Sequence, residues 1–122
     1  MGKLVFAIPA AAVALTLFTT PVFAESGAAR ILRLVGPICE DFKPTLKSWA
    51  SRIDGHGSYA VPVAPRSMKL SCDNPGPAVP VGQSFGFDSS FPADQAALKY
   101  CNDKKPADFK SCVIIARSLP AQ

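Results

Sequence analysis

Phe91-Pro92-Ala93-Asp94-Gln95-Ala96-Ala97-Leu98-Lys99-Tyr100-Cys101, then a polar interval, then Ser111-Cys112-Val113-Ile114-Ile115-Ala116-Arg117-Ser118-Leu119: this stretch decides the fold. Its first part has a helical period. Ala93, Ala97, Tyr100 and Cys101 recur at i, i+4, i+7 and i+8, and Leu98 widens the stripe. Pro92 suits a first helical turn, and Ser89 or Ser90 offers an N-cap. Asp94 near the start and Lys99 near the end both agree in sign with the helix dipole. The second part changes character. Val113, Ile114 and Ile115 are β-branched, so residues 112–116 read as a buried strand. Between them, residues 102–110 carry Asp103, Lys104, Lys105, Asp108, Lys110 and Pro106, the composition of a solvated loop. A bridge from Cys101 to Cys112 would staple this helix to this strand.

Upstream, Phe42, Leu46, Trp49 and Ile53 fall at steps of four, three and four, one apolar helix stripe. Pro44 is tolerated only in a first turn, so this helix begins at Lys43 or Pro44, and Gly55 and Gly57 stop it. Trp49, the only tryptophan, sits mid-stripe as a core anchor. Tyr59, Val61 and Val63, then Met68, Leu70 and Cys72, alternate with small or polar residues as half-buried strands do. Pro62 and Pro65 confine the first of these to a sheet edge. Residues 62–82 are a long Pro/Gly-rich connection, with Asp73-Asn74-Pro75-Gly76-Pro77 as its turn cluster. Phe85 and Phe87 share one side of a short strand. With Phe91 they belong to the core beneath the last helix, the alternative being an exposed aromatic patch for a partner or glycan. Residues 25–36 read as a short helix, with Arg30 and Arg33 on one face, or as an unsettled arm. These elements predict an α+β fold: a small disulfide-stabilised domain, two or three short helices packed on a small antiparallel sheet.

The N-terminus bears on compartment. Lys3 precedes an apolar run over residues 4–18, and Val22-Phe23-Ala24 ends in a small-residue cleavage pattern. That is the architecture of a secretory signal peptide over residues 1–24, and its apolar run is too short for a spanning helix. Residues 25–122 then form one small α+β domain. Losing Lys3 lowers the net charge from +4 to +3, and no Lys/Arg run marks a nucleic-acid patch. Cys39, Cys72, Cys101 and Cys112 make an even set in a short exported chain, which reads as a disulfide framework. Of three connectivities, Cys39–Cys72 with Cys101–Cys112 is preferred, because the second pair is local and bridges adjacent elements. A four-cysteine zinc site would show paired C-x₂₋₄-C knuckles, which this spacing lacks.

Catalytic signatures are sparse. His56, in Asp54-Gly55-His56-Gly57, is the one histidine. It is a polar turn residue between glycines, or the base of a small hydrolase with a nearby acid. A G-x-S-x-G elbow, a C-x-x-C redox pair and a P-loop are absent, so no catalytic residue, cofactor or metal site is assigned. Lys104, Lys105 and Lys110, with His56, are the candidate binding surface, suited to an acidic partner.

Residues 93–101, followed by Cys112-Val113-Ile114-Ile115, resemble a class of short exported bacterial domains of unassigned function. Their pattern is an Ala-rich helix ending in Ala-Leu-x-x-Cys, a loop, and a Cys-led apolar strand. Tyr59-Ala60-Val61 is similar to the strand that often opens such domains, and the resemblance covers residues 58–117. The chain departs from it in its Pro-rich 62–82 insertion and in lacking a cysteine after the last strand. The resemblance implies a helix packed on a small sheet and an exported location, and it carries no catalytic residue across. The expected protein is a periplasmic or secreted binding module for an envelope or extracellular macromolecule. The alternatives are the His56 hydrolase and a membrane-tethered structural protein that keeps its apolar N-terminus.

Overall fold

Helix α1, Lys43–Arg52, forms where the four-three-four stripe places it. A short 3-10 turn, Glu40–Phe42, leads into it, and Pro44 lies in its first turn, where no intrahelical N–H is needed. Leu46, Trp49 and Ala50 are buried, and Phe42 and Ile53 pack beside them. Helix α2, Ser90–Lys104, buries Ala93, Ala97 and Cys101, three small residues exactly one stripe wide. Tyr100, placed on that stripe by its spacing, is instead 51% exposed. The computed structural model describes residues 30–121. The signal-peptide reading of residues 1–24 lies outside the described residues.

The two helices cover opposite faces of a four-stranded antiparallel sheet, β1 (Arg30–Leu34), β2 (Gly57–Val63), β3 (Gly82–Gln83) and β4 (Lys110–Pro120), in the order β1-β4-β2-β3. Alternation along β2 divides the core. Tyr59 and Val61 join the α1 cluster, while Ala60 joins Ala97, Cys101 and Cys112 on the α2 side. Phe42 and Trp49 meet Tyr59 edge-on, with ring centroids 5.8 and 5.3 Å away. β4 takes two irregularities against β2: Tyr59 faces Ala116 but Ala60 faces Ile114, and Val61 faces Val113 but Val63 faces Lys110. The first lets Ile115 and Ala116 both serve the α1 cluster.

Cys101 is bonded to Cys112 inside the α2 core, and Cys39 is bonded to Cys72 at the surface. Where the α2 backbone meets the sheet, Gly82 is the point of contact. A Cβ there would lie 2.7 Å from the Cys101 amide nitrogen and 2.8 Å from Cys101 Cβ, and nearer still to the Ala97 carbonyl oxygen.

Several local expectations are corrected. Residues 30–34 are neither helix nor arm; they pair with β4 from Arg30↔Pro120 to Leu34↔Ala116, and Arg30 donates to Gly55 O and Ser118 Oγ. β2 is an interior strand despite Pro62. The β3 ladder reaches only Tyr59 and Ala60, and the second β4 irregularity spans Pro62, so its missing N–H interrupts no regular pairing. Met68, Leu70 and Cys72 form no strand; residues 64–81 run without regular structure from β2 to β3. Residues 102–104 belong to α2, and Phe109, in the supposed solvated loop, is buried. No helix among the described residues is long and apolar enough to cross a membrane.

Candidate functional site

Three features carry side-chain chemistry: an ion pair across the α2 face, a loop pair at one end of the sheet, and a groove at the other end of α1. The ion pair starts from β-strand alternation, which turns Ser58 and Arg117, neighbours in register, toward α2. Arg117 donates to both oxygens of Asp94, Nε to Oδ1 at 3.0 Å and Nη2 to Oδ2 at 2.8 Å, and the Ser58 hydroxyl donates to Oδ1 as well. Burial raises the Asp94 pKa, but the Arg117 and Ser58 hydrogen bonds outweigh it and hold the carboxyl below its usual range. Its side chain is 16% exposed. Ser84 extends the network: its hydroxyl accepts from Ser58 N and donates to Ala93 O. Ser58 comes from β2, Arg117 from β4 and Asp94 from α2, so this arrangement clamps the three elements together.

The loop pair joins residues 54–58 to residues 84–87. Gly86 N donates to Asp54 O, His56 N to Phe87 O and Ser84 N to Ser58 O, at 2.8–2.9 Å. Gly55 adopts φ +63°, and a Cβ on it would stand 2.9 Å from Phe87 O. Only glycine fits that close approach. His56 is half-buried with its Nδ1 3.3 Å from Phe87 O. Among the described residues no carboxylate forms an ion pair with His56, and the Ser58 hydroxyl serves Asp94 instead. On this frame Phe85 is 64% exposed, and Phe91, at the start of α2, is 73% exposed. The expectation that both lie in the core is therefore overturned. Ala93 and Ala97 occupy the space beneath the helix, and the close approach at Gly82 leaves no room for a phenyl ring. Beside Phe85 opens a hollow of about 420 Å³ lined by Trp49, Arg52, Ile53, Asp54, Gln83 and Phe85.

The groove, about 760 Å³, lies where residues 37–42 and 70–75 are drawn together by the Cys39–Cys72 bridge. Ile38, Phe42, Val61, Leu70, Pro75 and Ile115 give it apolar walls, and Asp41 and Ser71 are the polar side chains on it. No sequence motif marks this groove. Its one sequence signal is the pair of cysteines set beside Pro37, Ile38 and Leu70.

The candidate surface of Lys104, Lys105, Lys110 and His56 is not one surface. Lys110 faces Val63 at one end of β2, and His56 precedes the other end, about 23 Å away along the strand. Lys104 lies over the Tyr100 ring, 5.9 Å from its centroid, and the Lys105 ammonium donates to Phe109 O. No group of three or more His, Cys, Asp or Glu able to hold a metal occurs among the described residues. Comparison with protein-family models, with curated proteins and with solved structures finds no match.

Proposed function

We propose that this chain is a small exported binding module that docks an apolar segment of another envelope or extracellular protein in the groove beside Cys39–Cys72. The groove carries the reading. Its volume is that of a ligand site, its walls are apolar, and its rigidity comes from a covalent bridge. Asp41 on the rim adds one acidic side chain, so the fitting segment carries a Lys or Arg next to its apolar residues. Export is supported by the leader-like residues 1–24, by the two disulfides and by the resemblance to short exported domains. The hydrolase alternative has less support, since His56 hydrogen-bonds a backbone carbonyl and pairs with no acid among the described residues.

A photo-crosslinking residue at position 70, on the groove wall, tests docking against the same residue at position 99, on the exposed face of α2. The expected result is an adduct from position 70 alone, containing an apolar peptide with a flanking Lys or Arg. Equal adducts from both positions, or none from position 70, would refute the reading. Intact mass of the exported chain checks the leader: a start at Glu25 is expected, and retention of residues 1–24 would exclude cleavage.

A further inference from the structure

Phe85 poses a physical question that the groove does not answer. It is 64% exposed, yet hydrogen bonds hold the residues on both sides of it. The flanking Ser84 and Gly86 amides both donate to residues 54–58, and Ser84 is buried with its hydroxyl bonded at both sides. A large apolar ring is thus presented to solvent on a rigid mount, its position fixed before any ligand arrives.

What surrounds the ring narrows the ligand. The adjoining hollow brings an exposed guanidinium (Arg52), an exposed carboxylate (Asp54) and an exposed amide (Gln83) to one rim, over a floor of Trp49 and Ile53. Among the described residues Arg52 and Asp54 form no ion pair with each other, and Arg52 donates through its Nε to Ser48 O. The remaining guanidinium N–H groups and the Asp54 oxygens have no side-chain partner among the described residues, and the Gln83 amide, which also reaches the Tyr59 hydroxyl, keeps capacity for a ligand. Fixed donors and acceptors of opposite charge suit a neutral molecule with many hydroxyls, and the negative face of Phe85 suits the polarised C–H bonds on one face of a pyranose.

We propose that the Phe85 hollow is a saccharide site that stacks a neutral pyranose ring on Phe85 and hydrogen-bonds its hydroxyls through Arg52, Asp54 and Gln83. It shares no lining residue with the groove beside Cys39–Cys72, and about 10 Å of α1, from Phe42 to Trp49, separates the two, so it stands independently of the docking proposed there. A volume near 420 Å³ falls within the range of small-ligand sites.

Trp49, the only tryptophan, lies in the wall of the hollow, so its fluorescence reports this site. The experiment titrates the full chain with cellobiose, maltose and N,N′-diacetylchitobiose, and pellets it with insoluble cellulose and chitin. A saturable fluorescence change with one of the disaccharides is expected, weakened about tenfold by Phe85→Ala and retained by Phe85→Tyr. Asp54→Asn, a surface change, should weaken it without altering thermal unfolding. Pelleting without a disaccharide response, again lost in Phe85→Ala, assigns the same site to a polysaccharide. Neither response, or one that survives Phe85→Ala, would overturn the proposal.

Discussion

Gly82→Ala tests how the molecule is held together. The new methyl would stand 2.7 Å from Cys101 N and 2.8 Å from Cys101 Cβ, and closer to Ala97 O, where ordinary contacts need well over 3 Å. Relief requires α2 to retreat from β2 and β3, which undoes the burial of Ala93, Ala97 and Cys101. Retreat is itself restrained, because Cys101 is bonded to Cys112 on β4. Overpacking against a rigid neighbour costs about 3 kcal/mol, and the loss of glycine's unfolded-state freedom returns about 0.5–1. The net is about 2–2.5 kcal/mol, which lowers the melting temperature of a domain this size by about 10–15 °C. Urea and thermal unfolding of the oxidised protein measure it. Gly36→Ala is the control. Gly36 has φ +78° and nothing within 4 Å of a Cβ, so it incurs backbone strain of about 1 kcal/mol and no clash. A Gly82→Ala protein within 0.5 kcal/mol of wild type would refute the claim that α2 rests on the β3 backbone.

Three further outcomes follow from the geometry. Stability should fall in acid through Asp94: its folded pKa is depressed, so its contribution is present above about pH 4 and is lost as pH drops through the lower folded value. Asp94→Asn should flatten that acid limb in urea titrations at a series of pH values; an unchanged limb would remove Asp94 from the account. Replacing Cys39 and Cys72 together by Ser opens a closure spanning 33 positions and should cost about 3–4 kcal/mol, with hydrogen exchange rising first over residues 64–81. Uniform loss of protection would contradict a local role for that bridge. Leu46→Ala, at a fully buried site, should cost about 2–5 kcal/mol, whereas Phe85→Ala should change unfolding by less than about 0.5. Equal effects would mean that Phe85 is core after all.

Periodicity was readable where a helix meets one sheet face and nothing competes. The Phe42, Leu46, Trp49 and Ile53 stripe is the α1 cluster, and Ala93, Ala97 and Cys101 are the inner face of α2. Legibility failed where pairing partners lie far along the chain. Arg30 to Leu34 has no alternation that singles out a strand; it becomes one because the far end of β4 supplies a ladder some 85 positions later. Pro62 argued for an edge, but the irregularities of β4 that accommodate it leave no local trace. Met68, Leu70 and Cys72 alternate like a strand, yet among the described residues no strand pairs with them, and Met68 N donates to Pro65 O in a local turn instead. Phe85 and Phe91 are exposed for a related reason. Large rings were assigned to the core beneath α2, whereas a helix sitting directly on Gly82 admits only alanine and the bridged Cys101. None of the residues around the groove or the Phe85 hollow forms a local motif, because both sites are assembled across loops.

The two disulfides do different physical work, and the difference bears on function. Cys101 and Cys112 lie within the α2 cluster, whose other buried members are Ala60 and Ala97. Small residues bury little apolar area, so a core made of them gains little from the hydrophobic effect, and the covalent bond substitutes for the missing side chains. Cys39 and Cys72 lie at the edge of the α1 cluster, beside Ile38, Phe42, Val61 and Ile115, and are not buried members of it. Residues 71–78 are exposed throughout, and the α1 cluster draws nothing from them. A bridge there fixes the wall of a groove: the hydrogen bonds given for residues 70–75 stay within the loop, and the covalent link ties it to residues 37–42. The first bridge stabilises a core of small side chains. The second closes a loop spanning 33 positions and, in doing so, also shapes the wall of a surface groove, which supports the docking proposed beside Cys39–Cys72.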